Sequence, residues 1–263
     1  GFALFALTLV ISYYAADLPS TATLFEPRGR AMVTIVDMRG RVIAKRGSGY
    51  GDELRLDELP PHVIEAVLAT EDRRFYGHFG IDPLGLMRAL FANIEAGRVV
   101  QGGSTITQQL AKNLFLAPDR TFGRKVQEAL LAIYLESRFT KDEILALYLN
   151  RVYFGAGTYG IDAAARRYFG KSARDVTLIE AAMLAGLLKA PSRYSPTNDP
   201  TLASARAEHV LAAMVDAGYI TEDERARAAA TRPKLTAMAA TPGAGWFADY
   251  ILDIVPDFAG KLS

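Results

Sequence analysis

The chain has 263 residues, enough for one large domain or two modest ones around a substantial core. Lys and Arg total 30 against 29 Asp and Glu, so no global charge points to nucleic acid as a partner. Cysteine is absent, which excludes disulfides, thiol catalysis and thiolate metal sites; three histidines (His62, His78, His209) without an HExxH run speak against a histidine-built zinc site.

Residues 1–16, GFALFALTLVISYYAA, carry no charge. A bilayer span needs about 20 apolar residues. The chain opens on Gly1 rather than Met, so residues 1–18 read as a transmembrane anchor truncated at its start. Tyr13 and Tyr14 suit a membrane interface. A cleaved signal peptide is the rival, but no positive n-region is visible and AADLPS is a weak cleavage site. Residues 19–56 read as a linker with one β-hairpin, because MVTIVDMRGRVIAKR (32–46) gives two β-rich runs around a Gly-containing turn.

From Asp57 onward helix signals dominate. Pro60 and Pro61 fit a first helical turn. Thr140 with Glu143, Thr177 with Glu180 and Thr221 with Glu224 have capping-box spacing, and Gly218 closes the helical run 201–217. The expected fold class is mainly α with a small β-hairpin near the N-terminus.

In PHVIEAVLATED, Ile64, Val67, Leu68 and Glu71 share one helix face, while Glu65 and Asp72 point elsewhere. Glu71 on a buried stripe would be partly desolvated, which lifts a carboxyl above its ordinary value of about 4.3 and makes it a better base. The plain alternative is a helix-end glutamate paired with Arg73 or Arg74. The following residues, EDRRFYGHFG, supply Phe75 and Phe79 to exclude water and His78 to orient the carboxylate.

GGSTITQQLAKNLF (102–115) opens a helix that Ser104 can cap; Ser104, Gln108 and Lys112 form one polar line opposite Ile106, Leu110 and Leu114. Exposed amides, a hydroxyl, an amide side chain and an ammonium make a plausible anion cradle. An amphipathic surface helix is the alternative, although nothing in it needs both Gln108 and Gln109. Arg124, Lys125 and Glu128 follow in the first turns of another helix. Over 98–128 the cations Arg98, Lys112, Arg120, Arg124 and Lys125 face only Asp119 and Glu128, a local excess of +3 that suits phosphate or anionic headgroups. GAGTYG (155–160) matches GxGxxG, but KDEILALYLN before it is helical, whereas a dinucleotide fingerprint follows a strand. A tight loop between helices is expected there.

Together these stretches resemble glycosyltransferase family 51, the peptidoglycan glycosyltransferases. The motifs occur in order: Glu71-Asp72 with Phe75 and His78; GGSTITQQ (102–109), with Ser104, Thr105, Gln108 and Gln109; Arg124-Lys125 with Glu128; KDEILALYLN (141–150), ending at Asn150, with AARRYFGK (164–171); and EAAMLAGLLKAPSRYSP (180–196). Ala146 departs from the pattern, where a glutamate is common. The resemblance implies a lysozyme-like bilobal fold, with a globular head and a membrane-associated jaw, in a domain spanning 57–232. It implies lipid II and the nascent glycan strand as substrates and moenomycin as an inhibitor of the donor site. Glu71 would be the general base and Glu128 a second catalytic carboxylate in the donor site. Lys112, Arg120, Arg124 and Lys125 would face the pyrophosphate, while Asp72, Phe75, His78, Ser104, Thr105, Gln108, Gln109 and Asn150 would help bind and position substrate. No obligatory cofactor is expected, although a divalent cation, Mg2+ or Mn2+, near Glu128 is an option. The implied setting is the bacterial inner membrane, single-pass, with the catalytic domain on the periplasmic side beside cell-wall synthesis or division proteins. S-x-x-K, S-x-N and K-T-G motifs are absent, and residues 233–263, with GWFADYILDIVPDF at 245–258, read as a linker towards a transpeptidase domain outside this chain. A lysozyme-like hydrolase and a non-catalytic membrane scaffold are the competing readings.

Overall fold

The structure, a computed structural model, describes residues 33–36, 38–39, 42–46, 49–98, 102–115 and 121–236. The expected anchor at 1–18, Arg120, and the exit segment at 245–258 lie outside the described residues. The expected hairpin is present as β1 (Val33–Val36) paired antiparallel with β2 (Val42–Arg46). Strand β3 (Gly49–Tyr50) follows.

The rest is mainly helical: α1 (Pro61–Glu71), α2 (Pro83–Glu95), α3 (Ile106–Phe115), α4 (Phe122–Arg138), α5 (Lys141–Arg151), α6 (Ile161–Phe169), α7 (Leu178–Lys189), α8 (Pro200–Asp216) and α9 (Glu222–Ala230). Their ends follow local chemistry. Pro61 occupies the first turn of α1. In the capping boxes before α5, α7 and α9, the glutamate carboxylate accepts from the threonine backbone N–H at 2.8, 2.7 and 2.8 Å. After α8, Gly218 takes φ 76° and its N–H returns to the Val215 carbonyl at 2.9 Å.

Helix α7 forms the centre of the core. Every residue from Ile179 to Leu187 is buried, and the helix packs on α1 and α8. Its small residues permit that closeness: a Cβ on Gly186 would sit 2.9 Å from Cγ of Arg206 on α8. Helix α2 does the opposite, with Ala89 its one buried residue. Among the described residues no helix is long and apolar enough to cross a membrane.

The GAGTYG stretch is not a plain interhelical loop. It forms a hairpin, β4 (Tyr153–Gly155) with β5 (Thr158–Tyr159), turning through Ala156 at φ 50° and Gly157 at φ 74°. Strand β3 adds in parallel to β5, giving the order β3-β5-β4 and a second β element that the helical spacing concealed. Residues 51–58 then strap across α5 and α6. Asn150, expected to position substrate, instead holds this strap: its Nδ2 donates to the Leu54 carbonyl at 2.9 Å and its Oδ1 accepts from the Leu54 N–H at 3.0 Å.

Buried Asp162 closes the same joint. It accepts from the Asp52 N–H at 3.0 Å, Arg166 Nε at 2.6 Å, Ser172 Oγ at 2.6 Å and the Ala173 N–H at 2.9 Å. Burial alone would raise its pKa, but the bonds from Ser172, Arg166, Ala173 and Asp52 outweigh it and hold the carboxyl below the ordinary Asp range. Its contribution to stability is therefore complete above the unfolded value of about 3.9 and lost as pH falls towards the folded value. Asp162→Ala is expected to cost about 2–5 kcal/mol in urea denaturation at neutral pH, with a smaller penalty in acid. A variant as stable as the parent at neutral pH would contradict this role.

Candidate active site

Helix α1 ends at Glu71 because Asp72 leaves the helical conformation, at φ −159° and ψ 77°, and turns its carboxylate inward. Asp72 is buried, contrary to the helical-wheel expectation. One oxygen accepts from the Ile106 N–H at 3.0 Å, at the start of α3, and His78 Nε2 lies 3.0 and 2.9 Å from its two oxygens. His78 thus orients Asp72 and not Glu71, with its ring edge-on to buried Phe75. Phe79, expected as a wall against water, is 56% exposed.

The α3 cap is also revised. Thr105, not Ser104, caps the helix: its Oγ1 accepts from the Gln108 N–H at 3.1 Å and donates to the Gly80 carbonyl at 2.6 Å. Gln108 reciprocates, its Oε1 accepting from the Thr105 N–H at 3.1 Å. Gly80 has φ 74°, and a Cβ there would meet the Ala132 carbonyl at 2.9 Å, so the EDRRFYGHFG loop presses against α4. Buried Gln108 is therefore a capping group, and the paired glutamines divide two tasks.

Gln109 has the other task. Its Nε2 donates to Glu71 Oε2 at 2.9 Å, while its Oε1 accepts from the fully buried Tyr148 hydroxyl at 3.0 Å. Glu71 is partly buried. Desolvation pushes its carboxyl up; the Gln109 bond and the charges of Arg206, Lys189 and Lys112 draw it part of the way back. Its net pKa stays above the ordinary Glu value. This partly dry carboxylate has one neutral hydrogen-bond donor and a ring of cations acting on it.

A second cluster joins α3 and α4. Lys125 Nζ lies 2.8 Å from Ser104 Oγ and 2.7 Å from Glu128 Oε2, and Arg124 lies 3.3 Å from Glu128 Oε1. Buried Glu128 therefore has a cation beside each oxygen, Oε2 hydrogen-bonded to Lys125 and Oε1 ion-paired with Arg124 without a hydrogen bond. Among the described residues no three His, Cys, Asp or Glu gather as metal ligands. With Arg124 and Lys125 already beside it, this carboxylate is a poor ligand for Mg2+ or Mn2+. A third network supports the site from behind: Glu136 accepts from Thr107 at 2.7 Å and Lys141 at 2.6 Å, and Lys141 lies 4.3 Å from the Phe75 ring centre.

A family model described as Transglycosylase matches residues 39–215. The chain belongs to the transglycosylase family. It is 48% identical over 224 residues to penicillin-binding protein 1A of Aquifex aeolicus (strain VF5), covering 85% of this chain and 30% of that protein. With penicillin-binding protein 1A of Escherichia coli (strain K12) it shares 47% over 212 residues, covering 81% and 25%. Penicillin-binding protein 1F of Bacillus subtilis (strain 168) is 43% identical over 231 residues, covering 87% and 32%. A crystal structure of penicillin-binding protein 1A from Haemophilus influenzae superposes with a TM-score of 0.53 at 25% identity, covering 86% of this chain and 23% of that one. The chain spans a quarter to a third of the length of these relatives.

Within this transglycosylase domain, Glu71 and Gln109 meet at one point, with the charge of Lys112 felt there, and Ser104, Arg124, Lys125 and Glu128 meet at another, while Asp72, Phe75, His78, Thr105 and Gln108 build the frame between α1 and α3. Sequence reading missed Tyr148, Lys189 and Arg206. Lys189 lay inside the fifth motif without a role, and Arg206 lies outside all five.

Two substitutions separate frame from chemistry. Asp72→Ala strands the Ile106 N–H and is expected to cost about 2–4 kcal/mol by urea denaturation. Because the folded pKa of Glu71 is raised, its ionisation lowers stability as pH rises from about 4.3 through the folded value. Glu71→Gln removes that loss, so at pH 7 it is expected to be at least as stable as the parent; a clearly less stable variant would refute the desolvation argument.

Proposed function

We propose that this domain polymerises lipid II into β-1,4-linked glycan with release of undecaprenyl pyrophosphate. The observation that carries the reading is Glu71: a carboxylate raised by desolvation, held by Gln109, with Lys112, Lys189 and Arg206 acting on it. Such a group is suited to take a proton near neutral pH. In the proposed step Glu71 accepts the proton of the acceptor's GlcNAc 4-hydroxyl. That oxygen bonds to C1 of the donor MurNAc as the C1–O bond to pyrophosphate breaks, inverting α to β. The departing diphosphate gains charge, which Lys112, Arg124 and Lys125 are placed to offset, with Arg120 a further candidate outside the described residues. Glu128 fixes Arg124 and Lys125 by its two ion pairs.

Hydrolysis by a carboxylate pair is less well supported. The nearest second carboxylate in sequence, Asp72, is buried and committed to the Ile106 N–H and His78, so it does not serve as a free partner acid. Glu71→Gln is expected to lower lipid II polymerisation by about 10² to 10⁴-fold, measured by gel separation of labelled glycan, and moenomycin is expected to block the parent. A variant that keeps most of its activity would sink the assignment.

The reading extends to the bilayer. On α2, Leu84, Leu86, Met87, Leu90, Phe91 and Ile94 are each 54–67% exposed, and Phe122 at the start of α4 is 82% exposed. A patch of this kind marks a membrane or partner surface; we read it as the jaw, resting on the outer face of the inner membrane. Since the chain has no cysteine, Phe91→Cys gives a single nitroxide site. In liposomes its EPR saturation is expected to show access to oxygen over a polar nickel complex, whereas exposed Glu208→Cys shows the reverse. Equal access to the nickel complex at both sites would remove the jaw assignment.

A further inference from the structure

We propose that Tyr148 is a positioning residue for the general base: by donating its hydroxyl hydrogen to Gln109 Oε1, it fixes the amide so that the NH2 end meets Glu71. The inference rests on the reading of Glu71 as that base. Three helices supply one partner each: Tyr148 from α5, Gln109 from α3 and Glu71 from the end of α1. The two bonds, at 3.0 and 2.9 Å, run in series through a single amide.

A glutamine amide has two orientations of nearly equal shape. In one, NH2 faces the carboxylate; in the other, the carbonyl oxygen does, and two partial negative charges meet. A phenol that donates to the far end accepts only the first. Tyr148 is 0% exposed, and among the described residues Gln109 is the partner recorded for its hydroxyl. Rotating the amide would leave that buried hydroxyl without an acceptor. The phenol also stays protonated: burial, then the negative charges of Glu71 and Asp72, push its pKa well above the ordinary value of 10.0. The donor thus persists over the whole range in which the base titrates.

The consequence is a pH effect with a fixed sign. The charged groups acting on Glu71 come from three elements: Lys112 on α3, Lys189 on α7 and Arg206 on α8, all lowering its pKa together with the Gln109 bond. Tyr148→Phe leaves these cations and frees the amide. The bond to the carboxylate then weakens, and the acid limb of the polymerisation rate moves to higher pH.

The test uses the full 263-residue chain with labelled lipid II, recording kcat and KM from pH 4.5 to 8.5 for Tyr148→Phe, Gln109→Leu and the double variant. Each single change is expected to move the acid limb up by about half to one pH unit. The double variant is expected to move it no further, because both act through one amide. The loss should fall on kcat and not on KM. A limb that stays in place in Tyr148→Phe while the rate falls equally at every pH would overturn the proposal, as would shifts that add in the double variant. If Tyr148→Phe fails to fold by circular dichroism, 3,5-difluorotyrosine at position 148 keeps the shape and strengthens the donor, and the limb should move to lower pH; an unmoved limb there would equally overturn it. Glu71→Gln distinguishes the two levels. If that variant still polymerises, the base assignment falls; if it is inactive and the limb is unmoved in Tyr148→Phe, only the positioning role falls.

Discussion

The bond from the Ile106 N–H to the Asp72 carboxylate is the constraint on which the site depends. It joins the last residue before the loop to the first turn of α3, and His78 takes the remaining capacity of the same carboxylate. Helix N-termini carry free N–H groups and partial positive charge, so a buried carboxylate is a natural partner there. With the two ends clamped, Glu71 at one side and Gln109 one turn along α3 face each other. Thr105 repeats the clamp on the loop, donating to the Gly80 carbonyl. Within the motif around Glu71, Asp72 and His78 therefore serve to place one carboxylate.

That carboxylate differs from the other acidic groups in the interior. Glu128, Glu136, Asp162 and Glu180 each hold an ion pair between 2.6 and 3.3 Å. Glu71 instead has a neutral amide at 2.9 Å, and the cations act on it through their charge. A direct salt bridge would hold the proton-accepting group too acidic to act as a base, whereas unrelieved burial would keep it protonated. The arrangement lies between these extremes, which explains why two glutamines stand together. One caps the helix and the other is bonded to Glu71.

What the sequence revealed follows from distance along the chain. Helix caps at Thr140, Thr177 and Thr221, the Gly218 stop and the first hairpin are contacts within a few residues, and all were legible as patterns. The phase of α1 was legible up to Glu71 but not beyond. Asp72 leaves the helix, so a wheel that sent it outward described a conformation it does not adopt. His78 followed from the same error, because its choice between Glu71 and Asp72 depends on that turn. The strap contact of Asn150 was hidden because its partner, the Leu54 backbone, is 96 residues away. Tyr148 lay within KDEILALYLN without a role, because its hydroxyl has meaning only beside Gln109, 39 residues earlier. The GAGTYG hairpin was hidden because β3, which completes its sheet, is two residues long.

Helices α7 and α2 are opposites in burial. Helix α7 is buried around its whole circumference and carries Lys189 at its end, so the core element that α1 and α8 pack against also delivers a cation towards Glu71. Helix α2, next after α1 in the chain, buries a single residue and presents leucines, methionine, phenylalanine and isoleucine outward. An apolar helix of this kind is costly in water and cheap in lipid. It is followed within a few residues by the loop that carries Ser104 and Thr105 into the site. Ser104 on that loop is bonded in turn to Lys125 of the Glu128 cluster, so the exposed apolar helix and the cation cluster belong to consecutive stretches of the chain.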